Sequence, residues 1–165
     1  MTPQILDRTL IAYRIGDPAG AHPVFDATGS KLFPGRWNTP ASPMIYASEH
    51  YSTAMLEKLV HGSGHLPPNQ HFIEVTIDAG VSYEMFADAH HSGWERTDMV
   101  VAKSFGEAWL QSARSAILVV PSVVARMERN VLVNPAHPDF VRIRPGLHQS
   151  VWWDSRLFAP PLPPG

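Results

Sequence analysis

"LFPGRWNTPASPMIYAS", Leu32–Ser48, sets an arginine and a tryptophan behind a Pro-Gly turn and then a proline-bounded apolar strand that ends near a tyrosine. Pro34-Gly35 is turn chemistry, because proline presets φ and glycine tolerates the bend. "PMIYAS" carries the β-branched and aromatic residues that suit a pleated strand. It runs straight into "SEHYSTAMLEKLVHG", which reads as a helix with Ser48 as a possible N-cap and Gly62 as its stop. The plainer reading of the turn is a hairpin whose arginine points into water. The sharper reading is the mouth of a site for a flat, phosphorylated ligand.

Working outward, "LIAYRI" (Leu10–Ile15) reads as a first strand, followed by the long Gly- and Pro-rich loop "GDPAGAHPVFDATGSKLFPG". A loop of that length in a compact domain is either functional or poorly ordered. Downstream, "HFIEVTIDA" alternates Ile73, Val75 and Ile77 against Glu74, Thr76 and Asp78, the pattern of a half-buried strand. "DMVVAKSFGEAWLQSAR" reads as a second helix, weakened by Gly106. "SAILVVPS" reads as a buried strand ended by Pro121, and "NVLVNP", "FVRIRP" and "SVWWDSRLF" as three more short strands. Strands and helices mix without strict βαβ alternation, so the expected class is α+β. One domain is expected over residues 1–158, with the Pro-rich stretch "APPLPPG" (159–165) as an extended tail.

Composition narrows the possibilities. The chain has 165 residues, 44% hydrophobic and 17% charged, which reads as globular. A formal net charge of −2 implies no broad surface for direct nucleic-acid binding. There is no cysteine, hence no disulfide framework, thiolate metal site or cysteine nucleophile; this suits a reducing cytoplasm. Polar residues interrupt the N-terminus too early for a signal peptide, and runs such as "AILVVP" are too short to span a bilayer. Neither glycine-rich phosphate loop is present, nor a nucleophile elbow. His61 and His65 in "HGSGH" are separated by glycines that oppose one helical face, so no metal is expected.

What remains is a constellation. Two arginines stand beside aromatics, Tyr13-Arg14 and Arg36-Trp37; Tyr46 closes a strand, and Glu57 follows on the helix. An arginine fork matches a pyrophosphate, and an aromatic face suits a flat base. A carboxylate stabilises an oxocarbenium-like state as a glycosidic bond breaks. Each has a plainer reading: surface arginines, a core-edge tyrosine, and a solvated Glu57. On a helical wheel Tyr51, Met55, Leu56 and Leu59 cluster on one side, and Glu57 falls nearly opposite. Ser122, His137 and Asp139 offer a Ser-His-Asp hydrolase as a weaker alternative. A non-enzymatic module that inhibits its target by contact alone is another.

In order along the chain, "AYRI", "GRWNTPASPMIYASEHYSTAMLEKLVH", "WLQSARSAILVVPSVV", "NVLVNPAHPDF" and "WDSRLF" resemble the RES-domain toxins of bacterial toxin–antitoxin pairs. The matches reach from Tyr13 to Phe158. The resemblance implies a compact fold similar to ADP-ribosyltransferase toxins, with a mixed, mainly antiparallel sheet and flanking helices. It implies NAD as substrate, without a metal, either degraded or used to transfer ADP-ribose to a protein acceptor. It also implies an antitoxin partner with an Xre-like helix-turn-helix part. Carried over, the "GRWN" arginine is Arg36, the "IYAS" tyrosine Tyr46, the "LE" glutamate Glu57 and the "VPS" serine Ser122; Arg14 in "YR" is a further match. Arg36, Tyr46 and Glu57 are then expected at the chemistry, and Arg14, Tyr13 and Ser122 at substrate binding. The family often has a glycine before the "YAS" strand where this chain has "TPASPM", which puts the shape of this turn at issue.

Overall fold

The computed structural model describes residues 2–65 and 67–158, so the Pro-rich tail expected at 159–165 lies outside the described residues. Among the described residues nine strands form one sheet: β1 (Gln4–Ile5), β2 (Leu10–Gly16), β3 (Ile45–Ser48), β4 (His71–Ile77), β5 (Ser82–Met85), β6 (Ile117–Pro121), β7 (Arg129–Val133), β8 (Ile143–Pro145) and β9 (Gln149–Ser150). The spatial order is β1-β5-β6-β7-β3-β2-β4-β8, with β9 also on β4. Among the described strands β5 and β6 alone pair in parallel, and the other pairs are antiparallel. A parallel pair needs a long crossover, and helix α3 (Val100–Ser112) lies within it, after α1 (Thr28–Leu32) and α2 (Tyr51–His61). The class is α+β, as the unalternating order of elements indicates.

Period-two alternation divides the sheet into two apolar faces. Ile45, Ala47, Val131 and Val133 join Ile73, Val75 and Ile77 on one side. Leu118, Val120 and Leu132 point the other way, against Trp37, Met44, Trp94, Trp109 and Ala102. The second cluster seats α3. Gly106 of that helix, read from sequence as a weakness, is a packing requirement: a Cβ there would stand 1.9 Å from the Trp37 carbonyl oxygen.

Several expected elements differ. "SVWWDSRLF" is no strand beyond Ser150; it ends in a 3-10 turn at Ser155–Leu157. "FVRIRP" divides into a 3-10 turn over Pro138–Arg142 and the short β8. The loop after β2 contains α1, and Val24 within it is buried. β5 has no apolar alternation to show, because its inward residues are Ser82 and Glu84, both buried. Glu84 is held there by Arg114, at 3.2 and 3.0 Å, and by Ser115.

The feature that positions the site is a seam. β2 pairs with β4 along its whole length, but with β3 only at Tyr13↔Ser48. The sheet therefore opens between β2 and β3, and α2 packs over both.

Candidate active site

α2 begins at Tyr51 after His50, which makes no side-chain cap. The expected N-cap, Ser48, is instead engaged in the sheet: its hydroxyl donates to Asn130 Oδ1 at 2.7 Å. Gly62 ends the helix as expected, its N–H donating to the Lys58 carbonyl at 3.1 Å. The inward stripe of α2 is not the leucine side of the wheel. Thr53 and Ala54 are buried and Glu57 is half-buried, while Leu56 and Val60 are exposed. Small inward residues let the helix lie close over the seam, and Glu57 finds polar partners beneath it. Hydrophobic periodicity assumes an apolar floor, and here the floor under Glu57 is polar.

Glu57 Oε1 accepts two hydrogen bonds, from Ser122 Oγ at 2.8 Å and from Asn130 Nδ2 at 2.7 Å. No described residue donates to Oε2. Ser122 sits fully buried just past β6, and its oxygen accepts from the backbone N–H of Val124 (3.2 Å) and Ala125 (3.0 Å). With two acceptances filled, its one proton goes to Glu57. Ser122 is thus both the cap of the loop after β6 and a clamp on the carboxylate.

Arg36 is half-buried in the turn after α1, and its Nη1 donates to the carbonyls of Trp94 (3.1 Å) and Arg96 (2.8 Å). Burial lowers its pKa; the negative charge of Glu57 opposes that, and the positive charge of Arg126 adds to it. The remaining guanidinium edge, Nε and Nη2, makes no hydrogen bond to the described residues. Arg126, not singled out from sequence, lies over the Trp94 ring, 5.6 Å from its centroid. Its only signal in the sequence is a basic residue four places after Ser122, which is weak.

The two aromatics of the opening stretch hold the turn. Trp37 is buried, stacked near Trp94 at 6.0 Å and edge-on to Phe86 at 4.7 Å. The Tyr46 hydroxyl accepts from Trp37 N–H (3.1 Å) and donates to Asn38 Oδ1 (2.8 Å), which also accepts from Gly35 N–H (2.8 Å). Burial pushes the Tyr46 phenol well above its ordinary range, so it stays a donor at neutral pH. Gly35 is required by this approach, since a Cβ would meet the Tyr46 ring at 2.8 Å.

Arg14 spans the seam: Nε donates to the Val24 carbonyl and Nη1 to the Tyr46 carbonyl at 2.6 Å. Burial lowers its pKa to about 10, against the pull of Asp26 and Tyr46, and it remains a cation at neutral pH. Tyr13 projects to the other side of β2, edge-on to Tyr51 at 5.9 Å. The structure therefore unites Glu57 and Ser122 in one network and puts Arg36 within its electrostatic reach. It ties Tyr46 to the Arg36 turn and Arg14 to Tyr46, and leaves Tyr13 packed at the foot of α2.

The Ser-His-Asp set is not assembled. Ser122 and His137 lie beyond opposite ends of β7. Asp139 accepts from Ser82 Oγ (2.7 Å) and N–H (3.0 Å), while His137 Nδ1 accepts the Asp139 N–H. Turn and strand-end capping use these groups, which overturns the hydrolase alternative.

Residues 11–154 match the RES domain family. The chain is 36% identical over 152 residues to a Prs ADP-ribosylating toxin of Sphingobium sp. (strain YBL2), covering 88% of this chain and 94% of that one. It is 30% identical to a Toxin Res of Photorhabdus laumondii, covering 79% and 85%. Among solved structures it resembles the M. tuberculosis MbcT–MbcA toxin-antitoxin complex, with a TM-score of 0.65 at 13% identity over 89% of this chain and 86% of that chain, a likeness of fold. By sequence over nearly its whole length, the chain belongs to the RES-domain family of toxins.

Proposed function

We propose that this protein cleaves the nicotinamide–ribose bond of NAD and transfers the ADP-ribose to a protein acceptor. The observation that carries the reading is the Glu57 carboxylate: one oxygen is fixed by two donors, the other takes no hydrogen bond from the described residues, and the half-buried Arg36 guanidinium lies within its electrostatic reach. Arg36 offers its open edge to the pyrophosphate as a bidentate donor. Glu57 Oε2 meets the ribose, binding a hydroxyl or stabilising the positive charge that grows at C1′. The C1′–N bond breaks with its electron pair leaving on nicotinamide. A lone pair of the acceptor then forms the new bond to C1′, and the acceptor loses its proton to solvent. Tyr46 serves by locking the turn that carries Arg36, and Arg14 by holding the seam and the Tyr46 strand. Tyr13 borders the same seam as part of the substrate-binding wall, and Ser122 acts through Glu57.

A protein acceptor is favoured because the Sphingobium relative is named for ADP-ribosylating Prs. Transfer to water or phosphate uses the same residues and is the second outcome of the assay. Restraint by an antitoxin with an Xre-like helix-turn-helix part completes the reading, in the cytoplasm. It is supported by the toxin–antitoxin complex of similar fold. Its simplest form is a segment seated over the loop from Gly16 to Gly35 and the Arg36 turn.

The test is incubation of the pure protein with labelled NAD, alone and with Prs or a cell lysate. Nicotinamide release with label on protein supports transfer to protein, and release without it supports transfer to water or phosphate. No release from a folded protein means that a binding module without chemistry is the better account.

A further inference from the structure

We infer that Asn130 is a positioning residue for the Glu57 carboxylate, set in turn by Ser48. The inference rests on the NAD-cleaving reading above and adds to it a relay of neutral side chains running through the sheet.

Asn130 lies on β7 on the same face as Leu132, where the neighbouring floor is apolar. An amide on such a face costs free energy unless its groups are paired. Here both ends are: Nδ2 donates to Glu57 Oε1 at 2.7 Å, and Oδ1 accepts from the buried Ser48 hydroxyl at 2.7 Å. The chemistry fixes the amide's orientation. Turned over, Oδ1 would face the carboxylate, acceptor against acceptor, while Ser48 would lose its acceptor.

The backbone gives the relay its rigidity. Ser48 pairs with Asn130 on one side and with Tyr13 on the other, the one position at which β2 and β3 join. The Glu57 carboxylate is thus referenced to three strands at the seam, through Asn130 and Ser48. Ser122 alone would tie it to the loop after β6. Both donors take the same oxygen, so the relay also decides which oxygen remains for substrate. A glutamate has three rotatable side-chain bonds, and holding it to a fraction of an ångström is what a reactive geometry requires.

The experiment compares the wild type with Asn130→Ala, Ser48→Ala and the double variant. It measures kcat and KM for nicotinamide release from NAD, thermal unfolding, and crystal structures of the wild type and Asn130→Ala. Asn130→Ala should lower kcat about 10- to 100-fold, the cost of a misplaced charged group, with KM within about threefold. Ser48→Ala should lower kcat less, about three- to tenfold, and the double variant should be no worse than Asn130→Ala, because the two act as one unit. The crystal structures should show one Glu57 conformer in the wild type and several in the variant. A folded Asn130→Ala with wild-type kcat, independent multiplication of the two losses, or a loss carried by KM overturns the inference. Should the wild type release no nicotinamide, the reaction is misassigned, and the Glu57 conformers alone decide the relay: one conformer in both proteins overturns it.

Discussion

Gly106→Ala is a substitution that intrinsic propensity calls stabilising and this structure calls damaging. Alanine gains about 1 kcal/mol over glycine in a helix interior. The added Cβ would stand 1.9 Å from the Trp37 carbonyl oxygen and 2.9 Å from its carbon. Even a C–H···O contact keeps carbon and oxygen about 3.3 Å apart, so α3 and the turn must separate by about 1.4 Å, from 3.3 − 1.9. Backbone meets the new atom, so no flexible side chain can yield. Overpacking costs about 1–3 kcal/mol; taking its upper end, about 2 kcal/mol of loss remains after the propensity gain. For a chain of this size that lowers the midpoint of thermal unfolding by about 4–8 °C. The displaced segment carries Arg36, so NAD cleavage should also weaken, by up to about tenfold in kcat/KM, the loss expected when the arginine fork is misplaced. Calorimetry and nicotinamide release on the same preparation provide the assay. A variant that melts at or above the wild type, with full activity, would refute the packing of α3 on the turn.

Three further outcomes follow from the same geometry. Tyr46→Phe leaves the Trp37 N–H and Asn38 Oδ1 without their phenol partner and should cost about 1–3 kcal/mol in urea unfolding, a cost absent if the hydroxyl is idle. Arg36→Lys keeps the charge but loses the fork, so KM for NAD should rise about tenfold with kcat less affected; an unchanged KM would make Arg36 a bystander. Burial pushes the Asp139 carboxyl up, yet bonds from Ser82 and the charges of His137 and Arg142 outweigh it, so its pKa lies below the ordinary value. A depressed folded pKa gives stability that is complete above the unfolded value and lost as pH falls through the folded one. Asp139→Asn should therefore be destabilising at pH 7, with the gap to the wild type closing as the pH falls below the ordinary aspartate range; a gap constant with pH would contradict this.

The legible parts of the fold were those with strong local patterns. "HFIEVTI" buries Ile73, Val75 and Ile77 as its alternation requires, and Pro121 ends β6 as a proline should. β5 was illegible because its buried side is Ser82 and Glu84, satisfied by Asp139 and Arg114 from elsewhere in the chain. The same reason hid the site. Glu57 reads as solvated on a wheel because its partners, Ser122 and Asn130, are 65 and 73 residues away. Ser48 reads as a helix cap because local chemistry offers nothing better, whereas the sheet brings Asn130 to it across 82 residues. Trp37, which could have been a platform for a ligand, is the plug under α3. Motif resemblance named Arg36, Tyr46, Glu57 and Ser122 together, but only the fold shows which of them touch.

Glu57→Gln tests the proposed chemistry most directly, with little else in the protein changed. The glutamine oxygen can still accept from Ser122 and Asn130, so the fold and the local network are kept while the charge proposed to face the ribose is lost. Nicotinamide release under single-turnover conditions, with NAD binding measured alongside, should fall at least about 100-fold while NAD is still bound. Release within about threefold of the wild type by a folded, NAD-binding variant would contradict the assignment of Glu57 as the group that stabilises the breaking bond.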